Sequence, residues 1–395
     1  MEVTEEIKLI TMEDFTKMGI KCFKLIGLNL ESRKEVTKKP KAFMLLGEFH
    51  FFLFLINIGL IVCALLGYAY KNLHDIKIVA RVLPNLTNAP YLAIKLFVFY
   101  WNRDKIKDAL SILEESFPKT EEDQLNLNVQ TYLKEVKMFV KGFGFLIIVL
   151  QVVLIISQVV LIFMFGTTKL PLDIWLPFSY ENFIIFGAVS LWMGWICFVV
   201  TTGTYAAEII LFATISLSSM KFDSIKRKCE NIGVNELKTE EEELTNIKEI
   251  VEEQNEIFKF IFDWDKIFSS LFLYNFVQSS ILLCFIIFLL SSSRDISTFV
   301  LYFPYLGTSL NQILLFCFLG QKIVNSSSSV AIGIYNSKWH QIKSLKIRKA
   351  LLMILIRSQK PSALTLKKFG VMSFETFTKI LAAAYSYFTL MKSFM

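Results

Sequence analysis

The chain has 395 residues, of which 54% are hydrophobic, 14% aromatic and only 19% charged, whereas soluble domains carry about 45–50% apolar and about 25% charged residues. Its mean hydropathy of +0.51 comes from apolar blocks close to the ~20 residues that cross a bilayer as a helix; 38 Phe against 16 Gly and 8 Pro exclude collagen-like and low-complexity classes. The net charge of +7 is spread over connecting segments and mixed with acidic residues, not gathered on one face as nucleic-acid binding requires. A soluble enzyme does not fit, and the fold class expected is all-α, a polytopic helical membrane protein.

In chain order, the first 40 or so residues alternate charged and apolar side chains, with Ile7, Ile10, Phe15, Met18 and Cys22 near helical spacing. This predicts an amphipathic helix lying at the membrane interface. Span one is expected over about 42–70, with Glu48 and His50 near its start. Span two, about 76–101, is the weakest, because it holds Lys77, Arg81, Pro84, Pro90 and Lys95. Spans three and four fall at about 142–166 and 183–217. Spans five and six fall at about 267–290 and 298–319, with a short helix over about 322–343 and span seven from about 373 to the end. The Glu-rich run 240–253 reads either as an inward helical continuation of span five or as a solvated charged face.

Loop charge fixes sidedness. Lys and Arg number 9 in the N-terminal arm, 7 in 102–141, 7 in 218–265 and 10 in 321–370. The alternate connections hold one each: Lys71, Lys169 and Arg294. An excess in every second loop marks those loops as cytoplasmic, so seven spans run from a cytoplasmic N-terminus to an extracellular C-terminus. The sequon Asn85-Leu86-Thr87 then falls inside span two, and Asn325-Ser326-Ser327 on the cytoplasmic side; neither is expected to carry glycan. The run Ser326–Ser329 reads equally as a phosphorylation target or a small-residue helix contact. The charged N-terminus shows no cleaved signal peptide.

Catalytic and metal signals are missing from the sequence. His50, His74 and His340 lie on different segments, the six cysteines include no CxxC, and no HExxH, GxSxG or phosphate-loop pattern occurs. No cofactor is expected. Proton-coupled transport would need ionisable residues deep in several spans, for which Arg81, Lys95 and Glu208 are the candidates. Lys95 and Glu208 fall toward cytoplasmic ends, where long side chains snorkel or pair. The outer halves of the spans gather small polar and aromatic residues, among them Ser157, Gln158, Phe186, Ser190, Tyr302, Phe303 and Tyr305. A cavity lined this way suits a small, mostly apolar molecule oriented by one or two hydrogen bonds. Tyr302 and Tyr305 at i, i+3 share a helix face; an interfacial aromatic belt accounts for them as well. On the last helix Lys379, Ala383, Ser386, Leu390 and Ser393 form one stripe. Copies around an axis would line a pore with Leu390 or Phe394 as its apolar constriction; small-residue packing against neighbouring helices fits equally.

Ordered motifs in the C-terminal third resemble the insect odorant receptor family: Cys317-Phe-Leu-Gly-Gln321, Ser326–Ser329, Tyr335-Asn-Ser-Lys-Trp339, Leu355-Ile-Arg-Ser-Gln-Lys-Pro361, Ser373-Phe-Glu-Thr-Phe377 and Tyr385-Ser-Tyr-Phe-Thr389. Upstream the similarity is span count, loop lengths and Trp175-Leu-Pro-Phe178. The resemblance implies an odorant-gated, non-selective cation channel, four subunits around one pore, each giving its last helix, in the plasma membrane of an olfactory neuron dendrite. It also implies a tuning subunit in a heterotetramer with the odorant co-receptor, because 218–265 lacks that partner's long insertion. The domains that follow are a cytoplasmic arm (1–41), a six-helix ligand-binding region (42–320), an inter-subunit anchor (321–370) and a pore-lining helix (371–395). By resemblance the ligand pocket takes Tyr302 and Tyr305, and by depth Val79, Leu83, Ser157, Leu161, Phe186 and Met193; the pore and gate take Ser386, Leu390 and Phe394. Lys379 stands ahead of Ala382-Ala383-Ala384, a run where the family often has its lysine. The rivals are a G-protein-coupled chemoreceptor, which requires an extracellular N-terminus, and a transporter, which requires repeated halves.

Overall fold

The computed structural model describes residues 9–30, 41–165, 170, 172–233, 239–292 and 296–393. Its helices are α1 (Glu13–Leu25), α2 (Lys41–Lys71), α3 (Ile76–Trp101), α4 (Arg103–Glu115), α5 (Glu121–Asn126), α6 (Val129–Phe165), α7 (Phe183–Glu230), α8 (Glu240–Ser292), α9 (Ile296–Asn336), α10 (Leu345–Ser358) and α11 (Phe374–Ser393), with a 3-10 turn at Trp339–Gln341. Among the described residues the only β pairing is an isolated bridge between Thr365 and Val371. Among the described residues, five helices, α2, α6, α7, α8 and α9, are long and apolar enough to cross a membrane. The other two helices assigned as spans from sequence, α3 and α11, are not among those five. They carry charged residues within them, Arg81 and Lys95 on α3 and Glu375 and Lys379 on α11.

Several helices outrun the bilayer. The 53 residues of α8 make a rod of about 80 Å, against a hydrocarbon layer of about 30 Å. The acidic run is therefore helical: Glu240, Glu241, Glu242 and Glu243 occupy the first turn of α8, where the positive end of the helix dipole favours them. Further along, Glu253 accepts from Lys228 at 2.6 Å and lies 3.4 Å from Lys221, both on α7. The short helix expected over 322–343 is not separate, because α9 continues unbroken to Asn336. No proline or glycine cap interrupts it near 320, so a boundary at 320/321 falls inside one helix. Within the serine run Ser327 serves packing: it is buried, its hydroxyl donates to Val324 O at 3.1 Å and accepts from Ser362 N at 3.0 Å.

The N-terminal helix docks its apolar face on protein, not on lipid as an amphipathic interfacial helix would. Phe15, Thr16, Gly19, Cys22 and Phe23 are buried, and a Cβ at Gly19 would come within 3.0 Å of Ile210 on α7. Met18 faces out and Ile10 precedes the helix; Ile7 lies outside the described residues. Gln124 clasps the arm from the side, its amide accepting from Ile10 N at 3.1 Å and donating to Ile10 O at 2.8 Å.

The base of α11 is clamped from two helices. Asp265 on α8 accepts from Thr365 N at 2.6 Å and from its hydroxyl at 2.7 Å. Gly320 on α9 leaves room for the backbone of Met372, with which any Cβ there would collide. Above the clamp α11 buries Ile380 and Ala384 against Leu283 of α8 and Ile313 and Cys317 of α9.

Candidate functional site

A partly open cavity of about 120 Å³ lies between α2, α3, α6, α7 and α9. Its apolar walls include Ile58, Ile61 and Leu65 of α2, Leu92 of α3, Leu150 of α6, and Ile196 and Val200 of α7. Leu172, from the segment ahead of α7, also lines it, and that segment is pinned to α2 by Trp175 N donating to Ala64 O at 3.0 Å. Polar groups are few: the amides of Asn85, Asn88 and Gln151, the hydroxyls of Thr201 and Tyr305, and the thiol of Cys197.

Local sequence places these groups. Pro84 and Pro90 both lie inside α3, each removing a backbone donor from the helix ladder. They bracket Asn85, Asn88 and Ala89, which line the cavity together with Leu92 just beyond Pro90. Gln151 ties α6 to α7, donating to the Thr201 hydroxyl at 3.1 Å and to Cys197 O at 3.4 Å. Beside the cavity, an almost wholly apolar groove of about 650 Å³ opens between α2, the 175–178 segment and α7.

Of the pocket residues chosen from sequence, Tyr305 lines the cavity. Tyr302 is its neighbour, ring centroids 6.4 Å apart, but its hydroxyl donates to Arg81 O at 3.4 Å and its ring packs with Leu282, Ile286, Phe288 and Leu289 of α8. Phe186 and Met193 are buried on α7, and Val79 and Leu83 are half-buried on α3; none of the four lines the cavity. The side chains of Ser157 and Leu161, and all of Phe394, lie outside the described residues. Asn85, Asn88, Gln151, Cys197 and Thr201 were missed. The first two carry a signal in the sequence, since amides at i, i+3 in an apolar span must face protein or water, although Asn85 also reads as part of a sequon.

Lys95 and Glu208 do not snorkel. They form a fully buried ion pair between α3 and α7, and Gln312 of α9 donates to the same Glu208 oxygen at 3.0 Å. On α11, Lys379, Ser386, Leu390 and Ser393 are exposed, on the side away from buried Ile380 and Ala384; Lys379 pairs with Glu375 one turn earlier at 2.7 Å.

A bundle of membrane-length helices around a small apolar cavity with a few amide and hydroxyl groups defines a polytopic helical membrane protein with a cavity whose lining matches a small, mostly apolar molecule. The family model described as 7tm Odorant receptor matches residues 75–385, and the chain belongs to that family. It is 24% identical to putative odorant receptor 92a of Drosophila melanogaster, covering 98% of this chain and 96% of that one. Odorant receptor 67c of the same fly is 22% identical over 100% and 99% of the two chains. The fold is that of the olfactory receptor OR5 of Machilis hrabei in complex with eugenol, with a TM-score of 0.84 at 14% identity over 96% of this chain and 98% of that one. The chain is thus an odorant receptor, a multi-pass membrane protein and not an enzyme.

Proposed function

We propose that this odorant receptor is the tuning subunit of an odorant-gated, non-selective cation channel in the plasma membrane, and that the cavity under Leu172 is where the odorant binds. The observation that carries the channel reading is the free face of α11. One side of that helix is packed on α8 and α9, while Ser386, Leu390 and Ser393 are exposed on the other. Polar residues along a membrane helix must face protein or water, so four such helices around an axis give a wet path with Leu390 as its apolar ring. In this reading α2, α3, α6, α7, α8, α9 and α11 are the seven spans, the N-terminal arm and the 218–265 and 321–370 connections are cytoplasmic, and the C-terminus is outside. Exposed Tyr335, Leu345 and Met353 suit the 321–370 region to contact between subunits, and a shared odorant co-receptor completes the heterotetramer.

Binding in the cavity draws mainly on apolar burial, at ~25 cal/mol per Å², with the amides and the Tyr305 hydroxyl orienting the ligand. The Machilis hrabei receptor of this fold was solved with eugenol, a small aromatic molecule with one hydroxyl, which is the kind of ligand this lining suits. Odorant contacts that are stronger in the open arrangement shift the closed–open equilibrium by that difference alone. The test is whole-cell current from cells expressing this chain with and without the co-receptor, against straight-chain alcohols, esters and aldehydes. Fast current only with the partner and insensitive to G-protein block is the expected result. A response that needs a G protein would overturn the channel reading, and current from the chain alone would overturn the tuning-subunit assignment.

A further inference from the structure

Two turns inward from the cavity, the same faces of three of its helices carry a second set of polar residues. On α3 cavity-lining Asn88 is followed seven positions on by Lys95, on α7 Thr201 by Glu208, and on α9 Tyr305 by Gln312. Seven residues are two turns, about 10 Å along a helix, and return to nearly the same face. All three converge on one atom, Glu208 Oε1, which is paired with the Lys95 ammonium and accepts from Gln312 Nε2 at 3.0 Å. Gln312 also donates to the Tyr91 hydroxyl at 3.4 Å. Tyr91 and Phe316 flank the ammonium with ring centroids 5.6 and 5.7 Å away. Tyr91 then stacks on Tyr274 of α8, 5.8 Å between centroids and 5° from parallel, and α8 is the helix that carries Leu283 against α11.

This cluster is loaded unevenly. Glu208 Oε1 carries both bonds, while Glu208 Oε2 is buried with no hydrogen-bond partner. A buried ion pair offsets its desolvation only when geometry and further hydrogen bonds are good, so a small relative shift of these helices changes its energy steeply. The cavity above holds about 120 Å³, whereas sites for small organic ligands run to ~300–1,000 Å³. A ligand of ordinary size fits only when the outer halves of these helices move apart.

We infer that the Lys95–Glu208–Gln312 cluster is the pin about which the cavity opens. It holds α3, α7 and α9 together beneath the ligand, favours the contracted arrangement, and passes the displacement through Tyr91 and Tyr274 to α8. This rests on the channel reading above. The three residues are positioning residues and do not touch the odorant, so they bias the equilibrium for every ligand alike.

The test compares Gln312→Leu, which keeps the ion pair and removes the hydrogen bonds to Glu208 and Tyr91, with the double variant Lys95→Met/Glu208→Gln, which leaves neither charge buried alone. Each full-length chain is expressed with the co-receptor, and current is normalised to surface amount against a panel of straight-chain alcohols and esters. The expected result is a lower EC50 by one common factor, about tenfold for Gln312→Leu, with a raised ligand-free current and an unchanged ligand rank order. Factors that differ from ligand to ligand, or an unchanged EC50 and ligand-free current at normal surface amount, would overturn it. Should the double variant fail to reach the surface, Gln312→Leu decides. A wild-type chain that reaches the surface and gives no ligand-evoked current counts against the channel reading instead. Binding of the same alcohols to the purified chain then reads the pin directly: tighter binding by one common factor in Gln312→Leu supports it, and equal affinity refutes it.

Discussion

Replacing Ile196 by valine removes one methyl group from the cavity wall without touching a polar group. Ile196 is buried and lines the cavity beside Cys197 and Val200. The space released admits about one more methylene of ligand, and a buried methylene contributes ~0.8 kcal/mol, close to fourfold in affinity. Within a homologous series of alcohols, the best chain length should therefore move up by one carbon, with the longer homologue gaining about fourfold in EC50. Ala89→Val, on the α3 side of the lining, adds carbon to the same cavity and should move the optimum the other way. The cost to the fold is small for Ile→Val, ~0.5–1.5 kcal/mol, so surface amount should hold. The assay is whole-cell current with the co-receptor across the series, with surface labelling as the control. If both variants reach the surface and keep the wild-type chain-length profile, the odorant does not bind in this cavity.

Four further outcomes follow from particular contacts. Tyr305→Phe should weaken responses to ligands bearing a hydrogen-bonding group by an amount worth ~0.5–1.5 kcal/mol and leave pure hydrocarbons unaffected, read from EC50 ratios within matched ligand pairs. Gly320→Ala drives a methyl group into the Met372 backbone, and overpacking of this kind costs ~1–3 kcal/mol; a lower melting temperature of the detergent-purified chain checks it. Burial raises the Asp265 carboxyl above its ordinary 3.8, while its bonds from Thr365 pull it down. A raised folded-state value favours the protonated form in the fold, so that contribution is full below the ordinary value and is lost as pH climbs through the raised one. The melting-temperature difference between wild type and Asp265→Asn should accordingly shift in the variant's favour over that window, and a pH-independent difference would contradict it. Burial, helped by Glu230, pushes the Cys229 thiol up to about 12; maleimide at neutral pH should leave it unlabelled until the chain is denatured, as peptide mapping would show.

Much of the architecture could be read along the chain because hydropathy and capping act locally. A helix over about 76–101 is legible despite its charges and prolines, and α3 runs from Ile76 to Trp101. Span four was expected to start near 183, and α7 starts there, with the Asn182 side chain accepting from Ile184 N at 2.9 Å as its cap. The helices that hold spans three to six run on beyond the apolar stretches, because an amphipathic helix outside the bilayer loses the continuous apolar signal and keeps only a periodic one. The amphipathic arm was visible as a helix, but its partner was not. Its buried face fits α7 through Gly19, and a small residue on an apolar stripe says nothing about what lies against it.

The site divides in the same way. Apolar blocks, loop charges and the ordered C-terminal motifs already determined an all-helical membrane protein of the odorant receptor family, since each of those signals lies within one segment. Which side chains share a cavity was decided by how the helices are rotated against one another. Tyr302 and Tyr305 sit three residues apart, about 60° around the helix, and that angle sends one hydroxyl to the carbonyl of Arg81 and puts the other residue in the cavity wall. Likewise Lys95 and Glu208, 113 positions apart, are two isolated charges in the sequence. Only tertiary packing, which excludes water from both at once, makes them a pair.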